Sequence, residues 1–190
     1  MKHHVITIRS IAQSVGAAGR CINSGKQFGL DIKMFDAVTP SDNPVDMAID
    51  LGINVEGFHE VYSRYDNCVA AFMSHFTLWS MCLEQNEEFT IFEHDAIIVN
   101  DIPEYLPYKE VCSLGKPSYG KWNDPKTFGV NPLTSKRYFP GAHAYRIRPT
   151  GAEKLINQAK NNGGGAGDNN TACLMFGGLA PSATANTESW

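Results

Sequence analysis

Residues 89–98 read FTIFEHDAII, and this stretch decides how the rest of the chain is interpreted. It begins as a short apolar run, rich in β-branched and aromatic residues, which is typical of a buried strand in an α/β sheet. Two carboxylates, Glu93 and Asp95, follow one residue apart. Because an ionised carboxylate is costly to bury unless it is paired or binds a cation, we expect the strand to end at Phe92 and to present both acids at the rim of the sheet. Ligands of open α/β sheets bind at that rim, beyond the carboxyl ends of the strands.

The spacing of Glu93 and Asp95 allows two interpretations. Acids at positions i and i+2 can share a hard divalent cation, or one can bind the metal while the other binds a hydroxyl group. Alternatively, both are ordinary acids of a solvated turn that follows the strand. The spacing alone does not choose between the two.

The composition is that of a single globular domain. The chain has 190 residues, of which 43% are hydrophobic and 19% charged, and its formal net charge is −4. This length allows a proper core, and the acidic balance gives no reason to expect a nucleic-acid partner. No apolar run predicts a transmembrane segment, and no signal-peptide core follows the N-terminus, so we expect a cytoplasmic protein. The five scattered cysteines favour reduced thiols in the core over a disulfide framework or a zinc site.

The start of the chain predicts a βαβ unit. Residues 5–8 form a β-branched run, residues 11–27 carry apolar side chains at helical spacing, and residues 31–38 alternate between polar and apolar side chains. A strand, a helix and a strand in close succession indicate a parallel pair joined by a crossover helix. We expect the first strand to be a central one.

The strongest helix is predicted from about Asn67 to Gln85, after a loop-like region that contains one short helix near residues 45–51. Its apolar face is broad, and Ser74 and His75 lie side by side within it. Adjacent residues on a helix point in different directions, which argues against a Ser-His hydrolase pair.

Residues 115–140 differ in character from the short strand predicted before them at 111–114. This segment is rich in turn-forming, aromatic and cationic residues, and Lys116, Lys121 and Trp122 lie within it. Long segments with little regular structure are usually functional or mobile. We therefore expect either a lid over an anionic ligand or a solvated surface loop.

The end of the chain is predicted in two parts. A strand at 141–147 and a helix at 150–161 complete a main domain that spans residues 1–162. Residues 163–190 form a glycine-rich break and a tail whose structure the sequence does not predict.

Four stretches, taken in order, resemble glycosyltransferase family 25, the group of lipopolysaccharide-biosynthesis and procollagen galactosyltransferases. They are VITIRS at 5–10 with Arg20 downstream, FDAV at 35–38, CVAAFMSHFTLW at 68–79 before the acidic motif, and GAHAYRI at 141–147 before GAEKL at 151–155. The combination in order is more specific than any single piece. The acidic motif of the family usually reads Glu-Asp-Asp, and here His94 occupies the middle position.

The resemblance implies an α/β, GT-A-like (Rossmann-like) domain with a mostly parallel central sheet flanked by helices. It also implies a hexosyltransferase that moves a sugar, often galactose, from a nucleotide-sugar donor to a glycan or lipid-linked saccharide acceptor, with a UDP-sugar as the expected donor. Such a transfer develops oxocarbenium-like charge while a diphosphate departs. The expected cofactor is therefore a divalent cation that neutralises the diphosphate, Mn²⁺ or Mg²⁺.

The resemblance suggests roles for the residues around the acidic motif. Asp95 is expected to bind the metal, and Glu93 to bind the metal, its water or the ribose. His143 is expected close to the same metal, or alternatively is a partly buried histidine that bonds to backbone. Asp168, just past the glycine run, is a candidate base for an inverting transfer by its position only.

A second group of residues is expected near the nucleotide, if the first two strands form its cradle. These residues are Arg9, Ser10, Arg20, Asp36, Ser74 and His75. Charged residues are also common at strand ends without such a function. His75 is expected to support the acidic strand from beneath, and a core histidine with one hydrogen bond is the alternative.

Two other classes of protein remain open at this point. One is a metal-dependent phosphoester hydrolase that uses the same Glu93 and Asp95, although such sites usually draw further Asp and His ligands from several strands. The other is a catalytically silent domain that binds a nucleotide sugar or a glycan.

Overall fold

The computed structural model describes residues 1–56, 58, 64–114 and 142–162, and these form a mixed α/β fold. The elements, in chain order, are β1 (Lys2–Thr7), α1 (Ala12–Lys26), β2 (Ile32–Asp36), α2 (Pro44–Asp50), α3 (Tyr65–Gln85), β3 (Phe89–Glu93), β4 (Val111–Ser113), β5 (Ala144–Ile147) and α4 (Pro149–Asn162). A short 3-10 turn, Pro40–Asp42, precedes α2. Every helix and strand that the sequence predicts within these residues is present, with bounds that shift by a few residues.

The five strands form one open sheet in the order β2-β1-β3-β5-β4. Strand β1 pairs in parallel with both β2 and β3, so the predicted βαβ unit is confirmed and β1 is an interior strand. Strand β5 pairs antiparallel with both β3 and β4. The sheet is therefore mixed, with two parallel and two antiparallel pairs, and the prediction of a mostly parallel sheet is not confirmed.

Helices cover both faces of this sheet. On one face, α2, α3 and α4 pack over a core that includes Phe89, Ile91, Tyr145 and Ile147. On the other face, α1 packs over a smaller core that contains Val5 and Phe92. Because alternate residues of a strand point to opposite faces, Phe89, Ile91 and Glu93 share the face that α3 covers.

Helix α3 is the largest contributor to the core. It begins at Tyr65, two residues before the predicted start, and ends where Asn86 adopts a left-handed conformation with φ 48°. Eleven of its residues are buried, including Trp79, Phe72 and Met73, and two of the eleven are the polar residues Ser74 and His75. A buried polar side chain needs a hydrogen-bond partner inside the fold, and both have one.

The remaining predictions about chain organisation have mixed outcomes. Cys21, Cys68 and Cys82 lie buried in the core, as expected, whereas Cys112 is only half-buried and Cys173 lies outside the described residues. Residues 115–140, for which a lid or a surface loop was expected, lie outside the described residues, and so do Asp168 and the C-terminal tail. The domain boundary at residue 162 therefore stays a prediction. No helix in the described part of the chain is long and apolar enough to cross a membrane.

Candidate active site

The acidic motif forms a tight turn at the carboxyl end of β3. The strand continues one residue further than predicted, to Glu93, whose backbone N–H donates to the carbonyl of His143 at 3.0 Å. The N–H of Ala96 donates to the carbonyl of Glu93, also at 3.0 Å, and closes the turn. His94 and Asp95 therefore occupy its tip, and Asp95 is exposed.

The chain that leaves this turn is fastened to α1. The N–H of Ile98 donates to the Ser24 hydroxyl at 3.0 Å, and that hydroxyl donates to the Cys21 carbonyl at 2.8 Å. Ala96 and Ile98 are buried on the α1 side of the sheet. The acidic turn is thus held by the sheet on one side and by a helix on the other, which restricts where Asp95 can lie.

Glu93 is not the solvated acid that the alternative interpretation expects. Its side chain is only 12% exposed. Burial, and then the charge of Asp95, raise the pKa of Glu93 to about 8, while His143 and His94 act in the opposite direction. In the metal-free protein at neutral pH the Glu93 carboxyl is therefore largely protonated, whereas Asp95 is open to solvent.

His75 lies beneath the acidic turn, where a supporting role requires it. Its Nε2 is 3.4 Å from Oε1 of Glu93, and its Nδ1 is 2.8 Å from the hydroxyl of Tyr145. Burial lowers the pKa of His75 to about 3, so the imidazole is neutral. The distance to Glu93 would suit an ion pair, but neither group is charged at neutral pH, and we interpret the contact as a long hydrogen bond.

Ser74 points away from the acidic turn, towards the chain that follows β2. Its hydroxyl accepts from the backbone N–H of Val38 at 2.9 Å and donates to the carbonyl of Ala70 at 3.0 Å. The side chain is 1% exposed. Its described contacts are therefore structural, and any influence on a nucleotide would pass through the backbone near Val38.

Two of the predicted nucleotide-binding residues are brought together at the same edge of the sheet. Arg9 Nε donates to Asp36 Oδ1 at 2.5 Å, and these side chains are 53% and 70% exposed. Thr7 pairs with Asp36 and Ile6 pairs with Glu93, so the carboxyl ends of β2, β1 and β3 lie side by side. With a strand spacing of about 4.8 Å, the ends of β2 and β3 are about 10 Å apart.

Ser10 and Arg20 are placed differently. Ser10 is exposed in the turn between β1 and α1, at the same edge as Arg9. Arg20 is exposed in the middle of α1, about 12 Å along the helix axis from Ala12. The structure therefore groups Arg9, Ser10 and Asp36 at one edge and leaves Arg20 further down the helix.

His143 lies opposite Glu93 in the antiparallel pairing of β3 with the start of β5. Its Nε2 is buried and has no hydrogen-bond partner among the described residues. Within residues 1–56, 58, 64–114 and 142–162, no three His, Cys, Asp or Glu side chains are arranged so that they would hold a metal ion by themselves. Glu93, Asp95 and His143 thus lie close in the fold without forming a complete metal cage.

Sequence reasoning missed two residues that contact this site. Trp79 donates from Nε1 to the Tyr145 hydroxyl at 2.8 Å, and the same hydroxyl contacts His75. Trp79 follows His75 by one helical turn, a spacing that places both on one face of α3 and is visible in the sequence. The role of Tyr145 depends on strand pairing, and no local pattern signals it.

Comparison with known protein families places the chain among the glycosyltransferases. The matching family is glycosyltransferase family 25 (LPS biosynthesis protein), over residues 19–131, which is more than half of the chain. The chain therefore belongs to glycosyltransferase family 25 and is a glycosyltransferase, a class that uses a nucleotide-sugar donor and a glycan acceptor. The match includes the acidic turn and ends before His143. No match was found among curated proteins.

Proposed function

We propose that this glycosyltransferase transfers a sugar, galactose in our hypothesis, from a UDP-sugar to a hydroxyl of a glycan or lipid-linked saccharide, with Mn²⁺ or Mg²⁺ bound at the acidic turn. One observation carries the proposal: the strand β3 delivers a partly buried Glu93 and an exposed Asp95 to the carboxyl edge of the sheet. The adjacent parallel strands β2, β1 and β3 support a GT-A-like nucleotide-binding half.

The residues at this edge fit a divalent cation that the donor helps to hold. Mg²⁺ in nucleotide enzymes is usually bound by one or two carboxylates and by the phosphates of the substrate. Asp95, which is exposed and makes no ion pair with any described residue, would supply the first carboxylate. Glu93 and Nε2 of His143, which has no hydrogen-bond partner among the described residues, would complete the protein ligands, and imidazole is compatible with Mn²⁺. When bound, the ion would neutralise the charge of the departing diphosphate.

The side chains that follow β1 and end β2, at the same edge of the sheet as the acidic turn, would hold the nucleotide. Arg9, which follows β1, forms an exposed pair with Asp36 at the end of β2, about 10 Å from the end of β3, and Ser10 is next to Arg9. The guanidinium of Arg9 suits a phosphate or a base carbonyl, and the carboxylate of Asp36 suits a ribose or base donor. Three parts of the proposal rest on the sequence alone: Arg20 near the nucleotide, residues 115–140 as a lid, and Asp168 as the base.

A thermal-shift panel tests this function. At a hundredfold excess over Kd, UDP with Mn²⁺ should raise the Tm by about 5–10 °C relative to UDP with a chelator. Other nucleoside diphosphates serve as controls for the base. Stabilisation that is equal with and without metal would contradict the metal site, and a preference for another base would contradict the UDP donor.

The alternatives make different predictions in the same experiment. A two-metal phosphoester hydrolase needs more ligands than this edge offers, because no metal-holding group of three is found in the described residues. It would also show no preference for a nucleotide sugar. A silent binding domain would be stabilised by the donor but would release no UDP when glycan acceptors are added.

A further inference from the structure

Four side chains from α3, β5 and β3 form a continuous line of polar contacts that ends at Glu93. Trp79 Nε1 is 2.8 Å from the Tyr145 hydroxyl, and that hydroxyl is 2.8 Å from His75 Nδ1. His75 Nε2 is 3.4 Å from Glu93 Oε1. The exposed fraction rises along the line from 0% at Trp79 through 1% and 2% to 12% at Glu93. The line therefore runs from the dry core to the edge of the candidate active site.

The proton positions along this line follow from what each group can donate. An indole nitrogen is a donor only, so Trp79 occupies one lone pair of the Tyr145 oxygen. If the Tyr145 hydroxyl donates to Nδ1 of a neutral His75, Nε2 carries the ring proton and donates to Glu93. The protons of Trp79, Tyr145 and His75 then all have an acceptor, and the protonated Glu93 carries its own proton on Oε2.

The opposite arrangement is less favourable. If His75 donated from Nδ1, the Tyr145 oxygen would accept from both Trp79 and His75. Its own proton would then have no acceptor among the described residues, at a position that is 1% exposed. An unsatisfied buried donor costs about 1–3 kcal/mol, which favours the first arrangement.

We propose that Tyr145 is a positioning residue for Glu93, that it acts through the tautomer of His75, and that Trp79 fixes the direction of its hydroxyl. The inference rests on the proposed function, because it gives Glu93 a part in binding metal and nucleotide. Hydrogen bonds behind a ligand residue orient its reactive atoms. Here the contact from His75 holds Oε1 of Glu93.

The packing around His75 supports this role. Its ring stacks on the ring of Tyr145, with centroids 5.7 Å apart and planes at 26°. Trp79 lies 6.5 Å from the same imidazole. A buried ring that contacts two aromatic side chains cannot turn freely, so loss of the Tyr145 hydroxyl alone should change the tautomer without displacing the ring.

The wild-type protein provides the first test. Nitrogen NMR of the metal-free protein should show His75 neutral, with the proton on Nε2. A proton on Nδ1 would overturn the proposal, and this measurement needs no variant.

The variant Tyr145→Phe provides the second test, with Tyr65→Phe as the matched control. Tyr65 lies at the start of α3, and its hydroxyl donates to the carbonyl of Val55 at 3.0 Å. In Tyr145→Phe the His75 tautomers should become mixed, and the affinity for UDP in Mn²⁺ should fall roughly 10–100-fold. Tyr65→Phe should change neither. An unchanged tautomer and affinity in Tyr145→Phe would contradict the proposal.

Two further variants complete the design. Trp79→Phe keeps the Tyr145 hydroxyl but removes the indole N–H that donates to it, so this variant should also give mixed His75 tautomers. It replaces Tyr145→Phe in the test if Tyr145→Phe fails to fold. Glu93→Gln separates this inference from the proposed function. If Glu93→Gln weakens UDP binding and Tyr145→Phe does not, the positioning role is wrong and the function stands. If Glu93→Gln binds UDP as the wild type does, the proposed part of Glu93 in the function is wrong.

Discussion

His75 Nε2 lies 3.4 Å from Glu93 Oε1, and both groups are neutral at neutral pH in the metal-free protein. Burial is the main cause on both sides, because it disfavours the charged form of an acid and of a base alike. The contact is therefore not a preformed salt bridge. It is a hydrogen bond that leaves Glu93 able to lose its proton when a cation arrives.

This pair predicts an unusual dependence of stability on pH. The pKa of Glu93 is raised from an ordinary 4.5 to about 8, so between these values the native state keeps a proton that the unfolded chain has lost. Its contribution to the free energy of unfolding therefore falls as the pH rises. The pKa of His75 is lowered from 6.5 to about 3, so its contribution is lost as the pH falls below 6.5. The two effects oppose each other between pH 4.5 and 6.5, and only that of Glu93 operates between 6.5 and 8.

Urea unfolding with a chelator present measures this effect. From pH 6.5 to 8 the wild type should lose at most about 2 kcal/mol, and Glu93→Gln should lose much less. Glu153→Gln, which changes an exposed acid on α4, is the matched control and should behave as the wild type. A wild-type curve that is flat or rises over this interval would show that Glu93 is not held protonated.

Ser74→Ala should lower stability because it removes the hydroxyl that holds Val38 to α3. We expect a loss of about 1 kcal/mol in the free energy of unfolding. Ser80→Ala is a suitable control, since among the described residues the Ser80 hydroxyl bonds only to the Phe76 carbonyl of the same helix, at 3.0 Å. UDP affinity that collapses in Ser74→Ala, with stability unchanged, would assign Ser74 a direct contact with the nucleotide.

Arg9→Gln should weaken the binding of UDP with little effect on stability. The Arg9–Asp36 pair is exposed, and such pairs contribute about 0–1 kcal/mol to stability. A lost charged hydrogen bond to a ligand, by comparison, lowers affinity about tenfold or more. Lys33→Gln, which breaks the exposed pair of Lys33 with Asp31 near the start of β2, is the control. If calorimetry gave the same affinity for UDP in both variants, Arg9 would not be part of the nucleotide site.

Local sequence patterns predicted most of the elements but not the directions of the last strands. The βαβ unit, α3 and β3 were predictable because their apolar residues follow the period of a helix or a strand. The antiparallel placement of β5 was not, since strand direction depends on which neighbour pairs with it. One clue was available: no helix was predicted between residues 114 and 141, and a parallel connection usually requires one.

The candidate site was predictable in its residue types and less so in its environment. Glu93 and Asp95 were both expected at the rim, but β3 continues through Glu93, so one acid is partly buried and the other exposed. The contact of His75 with this strand was expected from its place on the apolar face of α3. Tyr145 and its hydrogen bonds follow from the pairing of β5 with β3, which joins residues more than fifty positions apart and leaves no local signal.

Calorimetry of UDP binding to Asp95→Asn tests the central claim most directly. Asp101→Asn, an exposed acid in the loop that follows the acidic turn, is the matched control. The account predicts that wild type and Asp101→Asn bind UDP in Mn²⁺ and lose that affinity in a chelator. It predicts that Asp95→Asn binds UDP weakly in both conditions and melts at the wild-type temperature. Metal-dependent UDP binding by Asp95→Asn that equals that of the wild type would contradict the assignment of the acidic turn as the metal and donor site.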